Sequence, residues 1–583
     1  MKRYCNRYTE TGERLMQTPV RLSEYPRPEL VRESYLCLNG EWDFAMQGAG
    51  REICYGERIC VPYPPESLLS GIARAPKRGE RLYYRRSFRR PDDADGKRVL
   101  LHFGAVDQIA EVSLNGKALG RHEGGYDRFT YDITDAIKEE NELTVCAYNE
   151  KGNRLPWGKQ RKRRGGMWYT SISGIWGSVW IECVPTEYVR SLRITTDLFG
   201  ADIFADGVRE GEITLRMGDG EEMTFPLSDG HARVTPKDPR HWSPEDPYLY
   251  FFTLKTEADE VSSYFGLRTL EVKSDAAGQP RLCLNGKPYF FHGLLDQGYF
   301  SDGLYTPASY ECYESDVRLA KSLGFNLLRK HIKVEPSRFY YICDLLGMAV
   351  WQDAVNNGDY KFLRDTALPT IGQKRKHDRR LHRNAKTREA FLSGMEKMVG
   401  AVSHFPSVVG YTIFNEGWGQ FDHAKAYERL KALDPSRFAD SVSGWFQPKR
   451  DEDLASDMLS LHVYFKPVRL SRSSRPIFLS EFGGYSYRDL EHAFNMHKNY
   501  GYSTYKTLEE FEAAFEKLYL DEILPAIGVG LCGTVYTQLS DVEDETNGLV
   551  TYDRRLVKLD PARAKAIAER LFGAFAEATT KGE

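Results

Sequence analysis

The chain has 583 residues and no apolar run near the ~18–20 residues that a membrane span needs. Its ten cysteines include no CxxC pair, which disfavours zinc ribbons and redox dithiols. No GxGxxG or GxxxxGK[ST] follows a strand-like run, and no HExxH occurs, so nucleotide-binding loops and zinc-protease helices are disfavoured as well. There is no basic excess: 80 Lys and Arg stand against 83 Asp and Glu, a net charge of −3, so nucleic acid is not an expected partner. The opening MKRYCNRYTETGERL lacks the apolar core of a secretory signal. Together with scattered cysteines in apolar contexts, such as Cys146 in LTVCAYN, it leads to an expectation of free thiols in the cytoplasm. What is present is an ordinary globular balance, 41 % hydrophobic and 28 % charged, in a length that suits about three to five domains.

Up to residue ~185 short strand-like runs recur (EWDFAM, RVLLHFG, AEVSLNG, ELTVCAYN, VWIECV), separated by turn clusters such as RRPDDADGKR. This predicts a β jelly-roll sandwich over 1–185. The pattern continues through GEITLRMG and YLYFFTLKT, predicting an immunoglobulin-like β-sandwich over 186–273. Near 275 the period changes. Eight strand candidates, 288–295, 325–331, 348–354, 408–416, 438–444, 458–464, 476–481 and 529–538, alternate with helical stretches such as REAFLSGMEKMVGAV. That count predicts a (β/α)8 TIM barrel over 274–583, with a doubly wound open sheet as the weaker alternative.

Chemistry in such a barrel belongs at the C-terminal strand ends. Those ends offer Asp296 and Gln297; Arg329, Lys330 and His331; Gln352 and Asp353; Asn415 and Glu416; Tyr464; Glu481; and Gln538 with Asp541. Glu416 and Glu481 stand out, because each ends an apolar run and precedes glycines. Carboxylates from strands four and seven would face one another across the mouth. Either alone reads equally well as a helix cap or an arginine partner. The pair suits glycoside hydrolysis, with one protonated as acid and one ionised as nucleophile.

Over nearly its whole length the chain resembles glycoside hydrolase family 2, the β-galactosidase/β-glucuronidase/β-mannosidase group. LNGEWDF, VPYPPES, AEVSLNGKALGRHEGGYDRFTYDIT and SGIWGSVWIE resemble its sugar-binding jelly roll. FGLRTLEV leading to LNGKPYFFHG resembles its entry into the barrel, and FNEGWGQ and LSEFGG resemble its two catalytic motifs. The resemblance implies that Glu416 is the general acid/base and Glu481 the nucleophile. It implies that Asn415 holds the sugar 2-hydroxyl, that Tyr464 touches the nucleophile and that His331 meets the sugar. The implied activity is that of a retaining exo-β-glycosidase, most like a β-galactosidase. A β-glucuronidase or β-galacturonidase type and a non-catalytic glycan-binding protein are the alternatives. Relatives are often oligomeric, so a homo-oligomer is compatible.

Two departures bear on the sugar. Trp168 stands where the family places a sugar-binding aspartate, and the segment before GLVTYDR reads Glu545-Thr546-Asn547, without the lysine of glucuronidases. Tyr536 occupies the position of a tryptophan that many members carry after strand eight. Asp353, Trp168, Trp418 and Tyr536 join the substrate-binding candidates, and Trp351 and Trp445 are further stacking candidates, although Trp351 reads equally well as core packing. Two basic runs, KQRKRR (159–164) and QKRKHDRRLHR (373–383), suit either solvated loops or the attraction of an acidic sugar. His331 and Glu335 lie four apart, and His377 and His382 five apart. Without HExxH no catalytic metal or cofactor is expected, although an accessory Mg²⁺ or Na⁺, seen in some relatives, stays compatible.

Overall fold

The structure is a computed structural model that describes residues 5–18, 21–149, 152–218, 220–368, 378–444, 447–448 and 451–580. Two antiparallel sheets form the N-terminal sandwich. A six-stranded sheet runs, in spatial order, Glu57–Val61, Gly40–Gly48, Glu80–Arg89, Glu140–Tyr148, Ile109–Leu114 and Lys117–Glu123. A four-stranded sheet packs on it, built on Val179–Val184 and Arg98–Phe103. The alternation read in ENELTVCAY is the burial pattern of that strand: Leu143, Val145 and Ala147 point into the core against Val112 and Tyr84. The leucine and the valine each contribute roughly 1.5–3 kcal/mol on full burial.

The second sandwich has three strands against four, Ser191–Thr196 to Glu260–Phe265. The leading segment reaches past the first sandwich to its neighbours. Leu30 lies in the second sandwich's core, Val31 bridges Ser262, and Thr9 donates to Asp302 of the barrel at 2.7 Å.

The third unit is a parallel barrel of eight strands: β1 (Phe291–Asp296), β2 (Leu327–Lys330), β3 (Ala349–Asp353), β4 (Val408–Asn415), β5 (Phe438–Ser443), β6 (Leu459–Val463), β7 (Ile477–Gly483) and β8 (Leu531–Thr537). Ladders join them in the order β5-β4-β3-β2-β1-β8-β7-β6. At the β5–β6 seam the Asp457 N–H donates to Ala439 O at 3.0 Å. The core strands are buried on both faces, as parallel strands under helices must be. Trp351 and Phe478 stack at 4.7 Å in the barrel interior. They fit because their neighbours are glycines: a Cβ on Gly410 would lie 2.6 Å from Trp351, and one on Gly533 2.5 Å from Phe478. A hairpin, Leu270–Ser274 with Pro280–Leu284, brings Leu282 into the same interior cluster and floors it. With that end plugged, chemistry has only the opposite rim.

Candidate active site

Glu416 is the first residue after β4, at φ +50° in the left-handed region, with Gly417 and Gly419 following at positive φ. A glutamate pays a cost of order 1 kcal/mol there, and the turn aims its side chain across the mouth rather than back along the strand. Glu481 lies within β7 where the ladder to β8 loses register between Leu479 and Phe482. The β6–β7 ladder is also irregular, between Ser460 and His462. Such irregularities re-aim side chains at barrel rims. One oxygen of Glu416, one of Glu481 and a ring nitrogen of His462 all lie within 4.8 Å of one another.

Glu481 is held from several sides. Tyr464 Oη donates to Oε2 at 2.8 Å, and Arg329 NH1 to Oε1 at 3.2 Å. His462 Nδ1 is 3.6 Å from Oε2, and His331 Nδ1 3.9 Å from Oε1. Burial alone would raise its pKa, but His462, Arg329, His331 and Lys159 together lower it below the usual carboxylate range. Glu416 keeps 19 % of its side chain exposed against 6 % for Glu481, and among the described residues its carboxylate takes one hydrogen bond, from His462 Nδ1 at 2.9 Å.

Arg329 organises the floor of the site. It donates to Asp353 Oδ1 at 2.9 Å, Ser480 O at 2.8 Å, Glu481, and Asn415 Oδ1 at 3.0 Å. Asn415 Oδ1 also accepts from Ser443 at 3.1 Å, leaving its amide nitrogen as a donor toward a ligand. Asp353 is fully buried and accepts from Arg329 and from His331 Nδ1, at 2.8 Å, so it orients these groups. Holding its proton on Nδ1 for Asp353 leaves His331 Nε2, buried and without a hydrogen-bond partner among the described residues, as an acceptor. Burial pushes the pKa of His331 well down, with Lys159 and Arg329 adding to the effect.

The N-terminal sandwich supplies one wall. Trp157 donates its backbone N–H to Asn356 O at 3.1 Å, and Tyr169 Oη donates to Glu545. Trp157, Trp168, Trp418 and Tyr360 form one aromatic cluster, with Trp168 5.2 Å from Trp418 and 5.0 Å from Tyr360. The Arg161 guanidinium lies 3.9 Å over Trp168. Arg164 pairs with buried Glu543 at 3.0 Å and is therefore structural. Glu545 also accepts from Asn547 at 3.0 Å, so the residues at the missing-lysine position bind one another.

Two expectations are corrected. Tyr536 faces outward from the barrel, against Phe482, Phe515 and Tyr519, while its neighbours Val535 and Thr537 face inward; strand alternation puts it on the helix side. Trp351 is a plug below the site rather than a sugar wall. Trp445, His377 and the basic run from 373 to 377 lie outside the described residues. Glu335 pairs with Lys330 and Lys333, so His331 and Glu335 do not form a metal pair. Among the described residues one trio has ligand-type groups close enough for a cation, Glu416, His462 and Glu481, and an ion there would occupy both facing carboxylates. Strand-end reading offers Arg329 without giving it a role, and does not offer His462. The run LSLHVYF carries a period-2 signal in which His462 lies on the same face as Tyr464, and this could have found the histidine.

Two sandwiches ahead of a barrel whose rim holds paired carboxylates define a class, the multidomain barrel proteins built as glycosidases are. Three models of one family match in succession: the "Glycosyl hydrolase 2 galactose-binding domain-like" model over 77–169, "Glycosyl hydrolases family 2" over 190–268, and "Glycosyl hydrolases family 2, TIM barrel domain" over 277–556. The chain belongs to glycoside hydrolase family 2. A β-galactosidase of Thermoanaerobacter pseudethanolicus is 26 % identical over 303 residues, 46 % of this chain and 39 % of that protein. A β-glucuronidase of Bacteroides fragilis is 24 % identical over 453 residues, 70 % of this chain and 61 % of that protein. The chain thus spans less than two thirds of either relative. Among solved structures, a β-D-glucuronidase of Dictyoglomus thermophilum has a TM-score of 0.70 at 18 % identity, covering 94 % of this chain and 98 % of that one. A β-galacturonidase of Eisenbergiella tayi has a TM-score of 0.67 at 18 % identity, covering 95 % and 99 %.

Proposed function

We propose that the protein is a retaining exo-β-glycosidase that removes a terminal β-linked sugar, in general pattern most like a β-galactosidase. The observation that carries this is the approach of Glu416 and Glu481 oxygens to within 4.8 Å. Retaining pairs sit about 5–5.5 Å apart, whereas inverting pairs need about 6.5–9.5 Å to admit water. In the first step Glu481 attacks the anomeric carbon while Glu416 protonates the departing oxygen. The glycosidic bond breaks and an ester to Glu481 forms. In the second step Glu416 takes a proton from water, the hydroxide bonds to the same carbon, and Glu481 leaves as a carboxylate. The Asn415 amide nitrogen serves the 2-hydroxyl, His331 Nε2 accepts from another hydroxyl, and Trp168 and Trp418 wall the mouth. The wall formed by the sandwich segment supports action on a chain end.

A second reading, an acidic sugar, is favoured by one observation. Lys159, in the turn before the two-residue strand Gln160–Arg161, and Arg161 on that strand have no carboxylate partner among the described residues, and Lys159 acts electrostatically on both Glu481 and His331. The experiment is a panel of p-nitrophenyl β-galactoside, β-glucuronide and β-galacturonide. Turnover of one of them by the wild type, loss in Glu481→Ala, and azide rescue to an inverted product are expected; full activity of Glu481→Ala, or no turnover across a broader aryl-glycoside panel, overturns the proposal. Preference for an acid that collapses in Lys159→Met would decide for the second reading, and preference for the galactoside against it.

A further inference from the structure

We propose that His462 is a positioning residue whose single N–H follows the negative charge as it passes between Glu481 and Glu416, an inference that rests on the two-step reading above. Its tautomer follows from its neighbours. Arg329 NH1 lies 3.3 Å from His462 Nε2, and a guanidinium can only donate. Nε2 is therefore the acceptor and the ring proton sits on Nδ1. That nitrogen is 2.9 Å from Glu416 Oε1 and 3.6 Å from Glu481 Oε2. The ring lies close to Gly444, where an added Cβ would come 2.9 Å from Nδ1.

The reaction moves one negative charge between those two oxygens. Before attack, Glu481 is the carboxylate and Glu416 holds the proton. Once the ester forms, Glu481 is neutral and Glu416, having given its proton to the leaving oxygen, carries the charge. Hydrolysis returns both to their starting states. An N–H within reach of both carboxylates serves whichever is ionised after a small ring rotation, and keeps its own proton throughout. Its strongest contact is with Glu416, so its largest effect falls on the ester intermediate, in which Glu416 must act as base. Among the described residues, the charged and titratable groups that face this pair are Lys159 from the sandwich segment, Arg329 and His331 from β2 and its following turn, Asp353 from β3, Asp440 from β5, and Tyr464, Tyr500 and Tyr502.

The test compares His462→Leu, which has no donor, with His462→Asn, whose amide nitrogen reaches the place of Nδ1. The probe is an aryl β-glycoside that the wild type turns over, used with a good and a poor leaving group. In His462→Leu no N–H meets the carboxylate that Glu416 becomes in the ester intermediate. Breakdown of the ester is expected to slow about 10- to 100-fold, with a burst of aryl alcohol, while ester formation from the good leaving group is nearly spared. His462→Asn is expected to restore most of the breakdown rate. Unslowed breakdown in folded His462→Leu, or His462→Asn no better than His462→Leu, overturns the proposal. A readout without turnover is ¹⁵N NMR of labelled histidine. A ring protonated on Nδ1 whose signal vanishes in His462→Asn supports it, and a proton on Nε2 overturns it. Inactivity of the wild type, or activity of Glu481→Ala, would instead defeat the two-carboxylate reading itself.

Discussion

Glu481 and Glu416 share a rim but not an environment. Glu481 is nearly enclosed and receives an arginine, a tyrosine and the field of two histidines. Glu416 is three times as exposed, stands on a strained turn, and receives one imidazole N–H. The difference fits their proposed chemistry. A nucleophile works as a carboxylate, so fixed donors can surround it. An acid/base must change charge twice in each turnover, so fixed positive charge around it would trap one state.

The largest effect on this contrast should come from Glu416→Ala. With a poor leaving group kcat/KM should fall about 10³- to 10⁴-fold. With a dinitrophenyl leaving group, which needs no protonation, glycosylation should be nearly spared. Equal losses on both substrates, measured by steady-state kinetics, would erase the distinction between the two carboxylates.

Arg329→Met should come next. Without its cation Glu481 holds a proton to higher pH, so the acid limb of kcat/KM should rise and activity fall about 10²-fold. Stability should drop by about 3–5 kcal/mol, because Asp353 loses its buried partner. The sign over pH follows from the lowered pKa of Glu481. Its contribution is present above the ordinary carboxylate range and is lost as pH falls through the lowered value. Denaturant melts of wild type and variant should therefore converge in acid. A gap that widens in acid would contradict the electrostatic account of Glu481.

The smallest effect should belong to Tyr536→Phe. Its buried hydroxyl has no side-chain hydrogen-bond partner among the described residues, so both kinetics and the melt should stay within about 0.5 kcal/mol of wild type. A large loss of kcat/KM would return Tyr536 to the substrate side.

Much of the architecture was legible in the chain. The period change near residue 275 separates alternating strands from buried ones, because antiparallel sandwich strands face water on one side and barrel strands do not. Glu416 and Glu481 were legible because a charged residue ending an apolar strand has to leave by the mouth. The partners of those carboxylates were less so. Arg329 reads as one of three basic residues in LLRKH, and nothing local says that its guanidinium reaches Glu481, 152 positions away. Tyr536 was misplaced because position after a strand was read without asking which face the alternation gives it. The Trp168 cluster needs a sandwich loop to meet a barrel loop, a contact that no local pattern encodes.

That meeting has a consequence for how the molecule can diversify. The proposed bond-breaking groups all belong to the barrel, while residues 157–169 reach over them from the sandwich, with Trp168 packed into the barrel's own core and Lys159 acting on Glu481. A change in that segment would therefore alter together which guests are admitted and how firmly the nucleophile keeps its charge. Selectivity and reactivity would drift as a single trait.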